Sequence, residues 1–241
     1  MNLRTRHLWL LGLAALAVRG PLLLLSPGAD FDLTSYAHVA NALPSALYSS
    51  AETAGRYPYL PLWWLLLKVL KGLQSLFGGD FGLWSRLPGV LGDVAVSALA
   101  YLIVERRSRS AAALAAGPEA LLSSRAALLA GLGFALNPLA FLVSTAHGQF
   151  DSVALALLMA AAWWLEYSST ARAELWAALS LAAAIALKTW PLAFLPLYLG
   201  VFASRREALR FAIWALLPPL LLLAPFVLLS GTDALWAHLA Y

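Results

Sequence analysis

Apolar stretches of about twenty residues recur along this chain and limit what it can fold into. The clearest cover residues 7–25, 87–104, 126–146, 152–168 and 209–229. Each is close to the length that a helix needs to cross the hydrocarbon core of a bilayer. Hydrophobic residues make up 62% of the chain, whereas a soluble domain averages roughly 45–50%. We therefore predict an all-α membrane protein with a single membrane domain over residues 1–241.

A further apolar run, residues 175–203, is broken by the sequence Lys188–Pro191. The run is too long for one crossing and too short for two full ones. We predict a helical hairpin of two short spans with Lys188 near its tip. Pro191 favours a helix start at that point, because a proline fits the first position of a helix.

Residues 57–77 are apolar enough to cross a membrane, yet they carry Lys68 and Lys71 near their middle. If this segment crossed, the cluster Arg106–Arg109 would fall outside, against the tendency of basic residues to stay in the cytoplasm. We therefore place residues 57–77 along the outer surface as juxtamembrane helices. The resulting topology has a cytoplasmic N-terminus, about seven transmembrane helices, a large first external loop and an external C-terminus.

The composition also excludes some classes of function. The chain has no cysteine, so it has no disulfide, no thiolate metal site and no thiol nucleophile. Its net charge of +4 is explained by arginines at cytoplasmic positions, and no aromatic-basic surface indicates binding to nucleic acid.

A polar hexapeptide, His147–Ser152, lies between two apolar stretches. A charge costs roughly 2.5–3.5 kcal/mol at the centre of an isolated membrane helix, so a functional site or a membrane-surface position is expected. His147 and Asp151 would share one face of a helix, although Gly148 makes a helix break equally reasonable. Asp151 could simply stabilise the start of the helix over 152–168. A divalent metal site formed by His147, Asp151 and either Asp30 or Asp32 is an alternative.

Asp30 and Asp32 follow the first apolar stretch. One interpretation is structural: Asp32 caps an amphipathic helix that buries one face, formed by Leu33, Tyr36, Val39, Ala40 and Leu43. The functional interpretation is a carboxylate at the membrane surface that takes the proton from an attacking hydroxyl, typically worth about 10²–10⁴-fold in rate.

Two cations are candidates for binding a lipid phosphate. Lys188 is a lone charge at the hairpin tip, where it could bind phosphate or simply extend towards the membrane surface beside Trp190. Arg56 stands in a proline-rich segment and is the second candidate.

Two further charges lie within apolar stretches. For Arg19 we expect extension to the surface or a pairing with Asp30. For Asp93 we favour a structural hydrogen bond between spans, although any carboxylate inside a membrane is a candidate functional residue.

Six short sequence motifs of this chain match motifs of a known protein family. In chain order they are Asp32 to Ala40, Arg56–Pro61, Ser85–Asp93, Asn137–Pro138, His147–Ser152 and Ala186–Pro191 with Leu195–Pro196. Together they resemble the GT-C superfamily of integral-membrane glycosyltransferases, which use polyprenyl-phosphate sugars as donors. The nearest similarity is to mannosyltransferase-like or glucosyltransferase-like members, and it is confined to their shared seven-span module.

The resemblance implies roles for individual residues. Asp32, or Asp30, would be the catalytic base, and Asp151 would orient acceptor or donor. Lys188 and Arg56 would contact the lipid phosphate.

Three further residues of the matching strings, His147, Gln149 and Tyr36, would belong to the substrate-binding set. No cofactor is required, and a divalent metal held by His147 and Asp151 stays open because relatives often have an aromatic residue at the position of His147.

We accordingly expect an inverting hexosyltransferase in the plasma membrane of a prokaryote, with its site on the external face and membrane lipid as a partner. Family members usually continue into a variable C-terminal part, so a shortened enzyme, a minimal enzyme and one half of a two-chain enzyme are all open. The alternative is a non-catalytic membrane protein: a small transporter, a substrate-binding subunit, or a degenerate module that assists a partner chain.

Overall fold

A computed structural model describes residues 1–53, 55–115, 120–168 and 172–231. Every regular element in these residues is helical, which confirms the predicted all-α class. The helices are α1 (Leu3–Leu25), α2 (Asp30–Asn41), α3 (Pro61–Phe77), α4 (Phe81–Ala115), α5 (Ala120–Ala135), α6 (Pro138–Phe141), α7 (Asp151–Tyr167), α8 (Ala173–Leu187), α9 (Leu195–Leu199) and α10 (Arg205–Ser230). Short 3₁₀ turns occupy Pro44–Ala46 and Trp190–Phe194, and a π-helical turn occupies Leu142–His147.

Four helical segments are long and apolar enough to cross a membrane. They are Leu3–Leu25, Phe81–Ser110, Ser124–His147 and Arg205–Ser230. Two shorter apolar segments, Ala173–Leu187 and Trp190–Leu199, accompany them. These lengths and compositions are those of a membrane protein.

Ion pairs hold several helix ends together at one end of the bundle, which we call the basic end. The pairs are Arg4 with Glu105, Arg109 with Glu105, Arg107 with Glu166, and Arg210 with Glu174. They join the start of α1 and the end of α7 to the far half of α4, and the start of α10 to the start of α8. All four arginines in these pairs are exposed, so each pair contributes little to stability. Together the pairs mark which helix ends meet.

At the opposite end of the bundle, which we call the motif end, the C-terminal end of α1 and the residues after it are hydrogen-bonded to the hexapeptide region. The backbone N–H of Ala29 donates to His147 O at 2.8 Å, and Ser26 Oγ donates to Ala146 O at 2.9 Å. The buried guanidinium of Arg86 donates to the carbonyls of Leu23, Ser26 and Thr145. Helix ends leave such carbonyls without partners, so one side chain satisfies two helix termini at once.

Helix α3 has both of its ends at the motif end. The Tyr59 ring, just before it, lies 5.0 Å from the Phe150 ring, and the Phe77 ring lies 6.3 Å from the Trp84 ring near the start of α4. Its apolar residues lie mostly on one face, and that face is buried through Trp63, whose ring stacks on Phe150 at 3.7 Å. Helix α3 therefore does not run from one end of the bundle to the other.

Arg19 and Asp93 meet inside the bundle. Both side chains are fully buried, and Arg19 Nε lies 2.6 Å from Asp93 Oδ2. Arg19 also donates to Ala135 O at 2.6 Å, a carbonyl at the end of α5, where the chain turns towards Pro138. The predicted structural hydrogen bond of Asp93 is confirmed. The prediction for Arg19 was wrong: its place on the buried face of α1 aims it at α4 and away from Asp30 and the surface.

Glycines let α4 and α7 approach closely. A Cβ on Gly89 would lie 2.7 Å from Gln149 O, and one on Gly92 would lie 2.6 Å from Val153 N. Ser152 Oγ donates to Gly89 O at 2.8 Å across the same contact. Small residues allow such close packing between membrane helices. This packing fixes the hexapeptide against α4.

Candidate functional site

The hexapeptide forms a bend between two helical segments. The π-helical turn ends at His147, Gly148 has φ +104°, and α7 begins at Asp151. His147 and Asp151 therefore lie on opposite sides of a break, and the alternative of one shared helix face was wrong. A Cβ on Gly148 would lie 3.0 Å from Leu33 Cδ2, so both the left-handed backbone and the contact with α2 favour glycine at this position.

Helix α2 begins earlier than the sequence indicated. Its first residue is Asp30 and its N-cap is Ala29, so Asp32 lies in the first turn and is not the cap. The physical reason is that His147 O fixes the N–H of Ala29 and sets where the helix starts. The carboxylate of Asp32 is consequently free to bind other side chains.

The predicted buried face of α2 is largely present. Tyr36, Val39 and Ala40 are buried, and Leu33 is half-buried. Leu43 is exposed, contrary to the prediction, because the helix ends at Asn41 and the chain turns away.

Five side chains from three distant parts of the chain meet at the motif end, and we call them the polar row. Asp32 Oδ2 lies 3.1 Å from His147 Nδ1 and accepts a hydrogen bond from Gln149 Nε2 at 2.8 Å. Lys188 Nζ donates to Gln149 Oε1 at 3.2 Å and to Asp151 Oδ2 at 2.8 Å. With an acceptor on one side and an ammonium on the other, the amide of Gln149 has only one consistent orientation.

Lys188 is enclosed by aromatic rings as well as by its polar partners. Its ammonium lies 4.7 Å from the centre of the Phe150 ring and 5.2 Å from that of Tyr59. Its side chain is only 12% exposed. A lysine that merely extended into water would not be held in this way. Cation–π contacts and the Asp151 carboxylate together stabilise a buried positive charge.

Arg56 and Asp30 are placed differently from the row. Arg56 donates to Ser35 Oγ at 3.2 Å and its guanidinium lies 4.7 Å over the Phe31 ring, on the same helix as Asp32. Within the described ranges it forms no salt bridge, so its charge is not neutralised by a carboxylate. Asp30 is exposed and forms no salt bridge or side-chain hydrogen bond with the rest of the described chain. Of the two first-loop aspartates, only Asp32 belongs to the row.

Tyr36 presents a buried phenol beside the row. Its hydroxyl is enclosed and forms no hydrogen bond to any described residue. Burial raises the pKa of Tyr36 well above its usual value, and Tyr59, Asp32 and Asp151 raise it further. Tyr36 is therefore a neutral hydrogen-bond donor across the physiological pH range.

The residues that could hold a metal do not gather into a full ligand set. Among the residues that the structure describes, no three His, Asp or Glu side chains lie close enough to share an ion. His147 pairs with Asp32, whereas Asp151 pairs with Lys188. The two predicted ligands thus have different partners.

Two residues of the site received no role from the sequence. Arg86 closes the motif end through three carbonyls, and Tyr59 forms part of the aromatic enclosure of Lys188. The available signal for Arg86 was a charge at the edge of the apolar stretch 87–104. Tyr59 had no comparable signal, because aromatic residues are common throughout this chain.

A cavity of about 280 Å³ adjoins the row. Gln149 and Asp151 form part of its wall, together with Asn137, Val143 and Trp190. The row therefore borders a space large enough for a small group.

Comparison of the chain with protein-family models, with curated proteins and with solved structures gave no match. A proposal about function consequently rests on the geometry of the polar row and its neighbouring cavity, together with the resemblance of the sequence motifs.

Proposed function

We propose that the protein is an integral-membrane glycosyltransferase that moves a hexose from a polyprenyl-phosphate donor to a lipid or glycan acceptor at the external membrane face. The observation that carries the proposal is the polar row. It joins Asp32, the hexapeptide and Lys188, the three sequence strings that the GT-C resemblance links to catalysis and phosphate binding. A carboxylate and a lysine are held in one hydrogen-bonded row. The carboxylate can remove a proton from the acceptor, and the lysine can stabilise the anionic leaving group.

Asp32 is the base in this proposal. Its Oδ2 is held by Gln149 and His147, while Oδ1 has no hydrogen bond within the described residues. An acceptor hydroxyl bound to Oδ1 would give up its proton there while its oxygen attacks the anomeric carbon. General base catalysis of this kind typically contributes about 10²–10⁴-fold. Fixing the carboxylate through its other oxygen orients it for that step.

Lys188 and Arg56 bind the leaving group. As the new bond forms, the bond between the anomeric carbon and the phosphate oxygen breaks, through an oxocarbenium-like transition state. Negative charge then accumulates on the phosphate, and nearby cations stabilise it. No carboxylate of the described chain pairs with Arg56, so none would compete with the phosphate for its charge. Lys188 would interact with both Asp151 and the phosphate. Attack from the face opposite the phosphate inverts the anomeric centre.

The arrangement of helix ends supports the proposed orientation. Arg4, Arg107 and Arg210 all form ion pairs at the basic end, which suits the cytoplasmic side of a plasma membrane. The motif end would then be external. Helix α3, with both ends at the motif end, suits a juxtamembrane helix of a large first loop. Helices α7 and α8 and the segment 190–199 would complete seven crossings.

Transfer of labelled hexose from polyprenyl-phosphate hexose in proteoliposomes tests the function. We expect transfer by the wild-type protein, a loss of at least about 10²-fold in Asp32→Asn, and nearly normal transfer in the matched variant Asp30→Asn. Equal activity of the two variants would remove Asp32 as the base. Absence of transfer by the wild-type protein with every donor hexose and membrane acceptor supplied would overturn the proposal.

The competing function is a small transporter or a substrate-binding subunit. The specific observation that favours it is the Arg19–Asp93 pair, because ionisable groups inside a membrane often mark a solute pathway. A transporter would move a solute across the proteoliposome membrane without any polyprenyl lipid. Flux that depends on Asp93 and is indifferent to Asp32→Asn would favour this function over glycosyl transfer.

A further inference from the structure

The cavity beside the polar row has a polar floor that the proposed reaction does not use. It lies between the segment 137–144, α7 and Trp190. Asp93 and Ser144 line it and are both buried, so they form its floor. Asn137, Gln149 and Asp151 stand nearer its edge, since each is only partly buried.

One oxygen of the floor lacks a hydrogen bond. Asp93 Oδ2 accepts from Arg19 Nε at 2.6 Å and from Ser144 Oγ at 2.5 Å. Asp93 Oδ1 is buried and has no partner in the described chain. A buried acceptor without a donor is costly, and native proteins usually satisfy such groups. A donor supplied by a ligand in this cavity would satisfy it.

The charges around the cavity are balanced. Arg19 neutralises Asp93, and Lys188 neutralises Asp151. A cation would therefore meet no net negative charge, and an anion would meet two carboxylates. What the walls offer instead is a set of hydrogen-bonding groups with no net charge: carboxylate oxygens that accept, and the amide of Asn137, whose oxygen already accepts from Leu139 N–H. Their chemical complement is a neutral molecule with several hydroxyl groups, because a hydroxyl both donates and accepts.

The cavity also borders the surface that would face lipid. Leu139 and Val143 line it and are both exposed, Val143 to 43%. They belong to Ser124–His147, one of the four long apolar segments. An opening between such residues admits a ligand sideways from the bilayer, with its apolar chain still in lipid. The ring of Trp190 adds an amphipathic wall, which suits a ligand that is partly apolar and partly polar.

We propose that this cavity binds the neutral hexose ring of a lipid-linked sugar. The inference rests on the proposed function, because it assigns the sugar of the donor or of a glycolipid acceptor to a defined subsite. Gln149 connects that subsite to the base, since the same amide that lines the cavity donates to Asp32.

The absence of cysteine from the chain makes a direct test possible. Val143→Cys places one thiol at the mouth of the cavity, and Val69→Cys places one on α3, away from it, where the native side chain is 59% exposed. Both positions are exposed enough to tolerate the change. The rate of labelling by N-ethylmaleimide is measured for each variant in liposomes, with and without octyl glucoside below its micellar concentration.

We expect octyl glucoside, at ten times its dissociation constant, to slow labelling at position 143 by about tenfold and to leave position 69 unchanged. Octyl tetraethylene glycol ether, which has the same chain without a sugar, should protect neither position. Equal labelling rates at position 143 with both amphiphiles would overturn the inference. So would slowing of both positions to the same extent, since that reports a change in the bilayer.

A second pair of probes identifies the source of the sugar. Protection by polyprenyl-phosphate hexose but not by polyprenyl phosphate assigns the subsite to the donor sugar. Protection by octyl glucoside alone assigns it to a glycolipid acceptor. Failure of the proposed function would look different: the thiol would still be protected by a sugar, yet no hexose would be transferred in proteoliposomes.

Discussion

The side-chain amide of Gln149 donates to Asp32 at 2.8 Å, although 117 positions separate the two residues in sequence. The other end of the same amide accepts from Lys188 at 3.2 Å. Gln149 is thus the only side chain of the polar row that contacts both the proposed base and the proposed phosphate-binding lysine. It acts as a positioning residue for both.

Replacement of Gln149 should therefore impair turnover more than stability. In Gln149→Met both hydrogen bonds are lost while the size of the side chain is kept. A misplacement of about 1 Å can cost about 10²-fold in rate, so we expect kcat for hexose transfer to fall by about 10–100-fold. The matched control is Gln74→Met, which removes an amide whose one side-chain hydrogen bond to the described residues goes to Gly79 O; this variant should retain normal turnover. Equal kcat values for both variants would contradict the positioning role.

Lys188 should contribute directly to binding of the donor lipid. A hydrogen bond to a charged group is worth about 1.5–3 kcal/mol, so Lys188→Met should weaken binding of polyprenyl phosphate by about that amount. Native mass spectrometry of the purified protein with added lipid measures the change. Lys71→Met is the control, because Lys71 is also at the motif end but lies over the Phe81 ring, 5.0 Å from its centre. A similar loss in both variants would indicate a general effect of charge.

The buried hydroxyl of Tyr36 should lower the stability of the protein but contribute to its activity. Its buried hydroxyl has no partner in the described chain, and an unsatisfied buried group costs about 1–3 kcal/mol. Tyr36→Phe should unfold at the same or a higher denaturant concentration than wild type. Its hexose transfer should fall, because Tyr36 belongs to the proposed substrate-binding set; unchanged transfer would contradict that role. Tyr48→Phe is the contrast, because Tyr48 donates to Tyr59 O at 2.9 Å and should lose stability.

The raised pKa of Tyr36 adds a dependence on pH. The unfolded chain releases this proton near pH 10, before the folded protein does. The unfolding free energy is therefore unaffected by this titration below about pH 10, and it falls as the pH rises from there towards the folded pKa. The unfolding free energy of Tyr36→Phe should fall less steeply above pH 10 than that of wild type. Parallel curves would contradict the burial of the phenol.

Gly148 should be sensitive to even the smallest side chain. Its φ is +104° and a Cβ would lie 3.0 Å from Leu33 Cδ2. Such a backbone costs a residue with a side chain about 1–3 kcal/mol, so Gly148→Ala should lower the unfolding free energy in mixed micelles by that amount. Gly133→Ala is the control: apart from the backbone of its own helix and its chain neighbours, no described atom lies within 4 Å of a Cβ there. A helical alanine in place of glycine should be neutral or stabilising by up to about 1 kcal/mol. Unchanged stability in Gly148→Ala would mean that the bend does not require glycine.

The sequence by itself determined the helical, membrane-type character of the protein and the approximate position of most helices. Long apolar stretches have few stable alternatives, because a backbone in lipid must satisfy its own hydrogen bonds. Pro191 and the polar break at Lys188 also located a turn correctly, since local chemistry decides where a helix cannot continue.

Only the tertiary structure decided which charges meet. Arg19 could reach towards the surface or into the bundle, and the rotation of α1 against α4 selected Asp93. From the sequence, Asp32 could cap its own helix. In the structure a hydrogen bond between Ala29 N–H and His147 O places the helix start at Asp30, so the carboxylate of Asp32 is available to bind Gln149. His147 and Asp151 are four residues apart, yet the bend at Gly148 gives them different partners. These outcomes depend on packing between segments that are distant in the chain, and such packing cannot be predicted from local sequence.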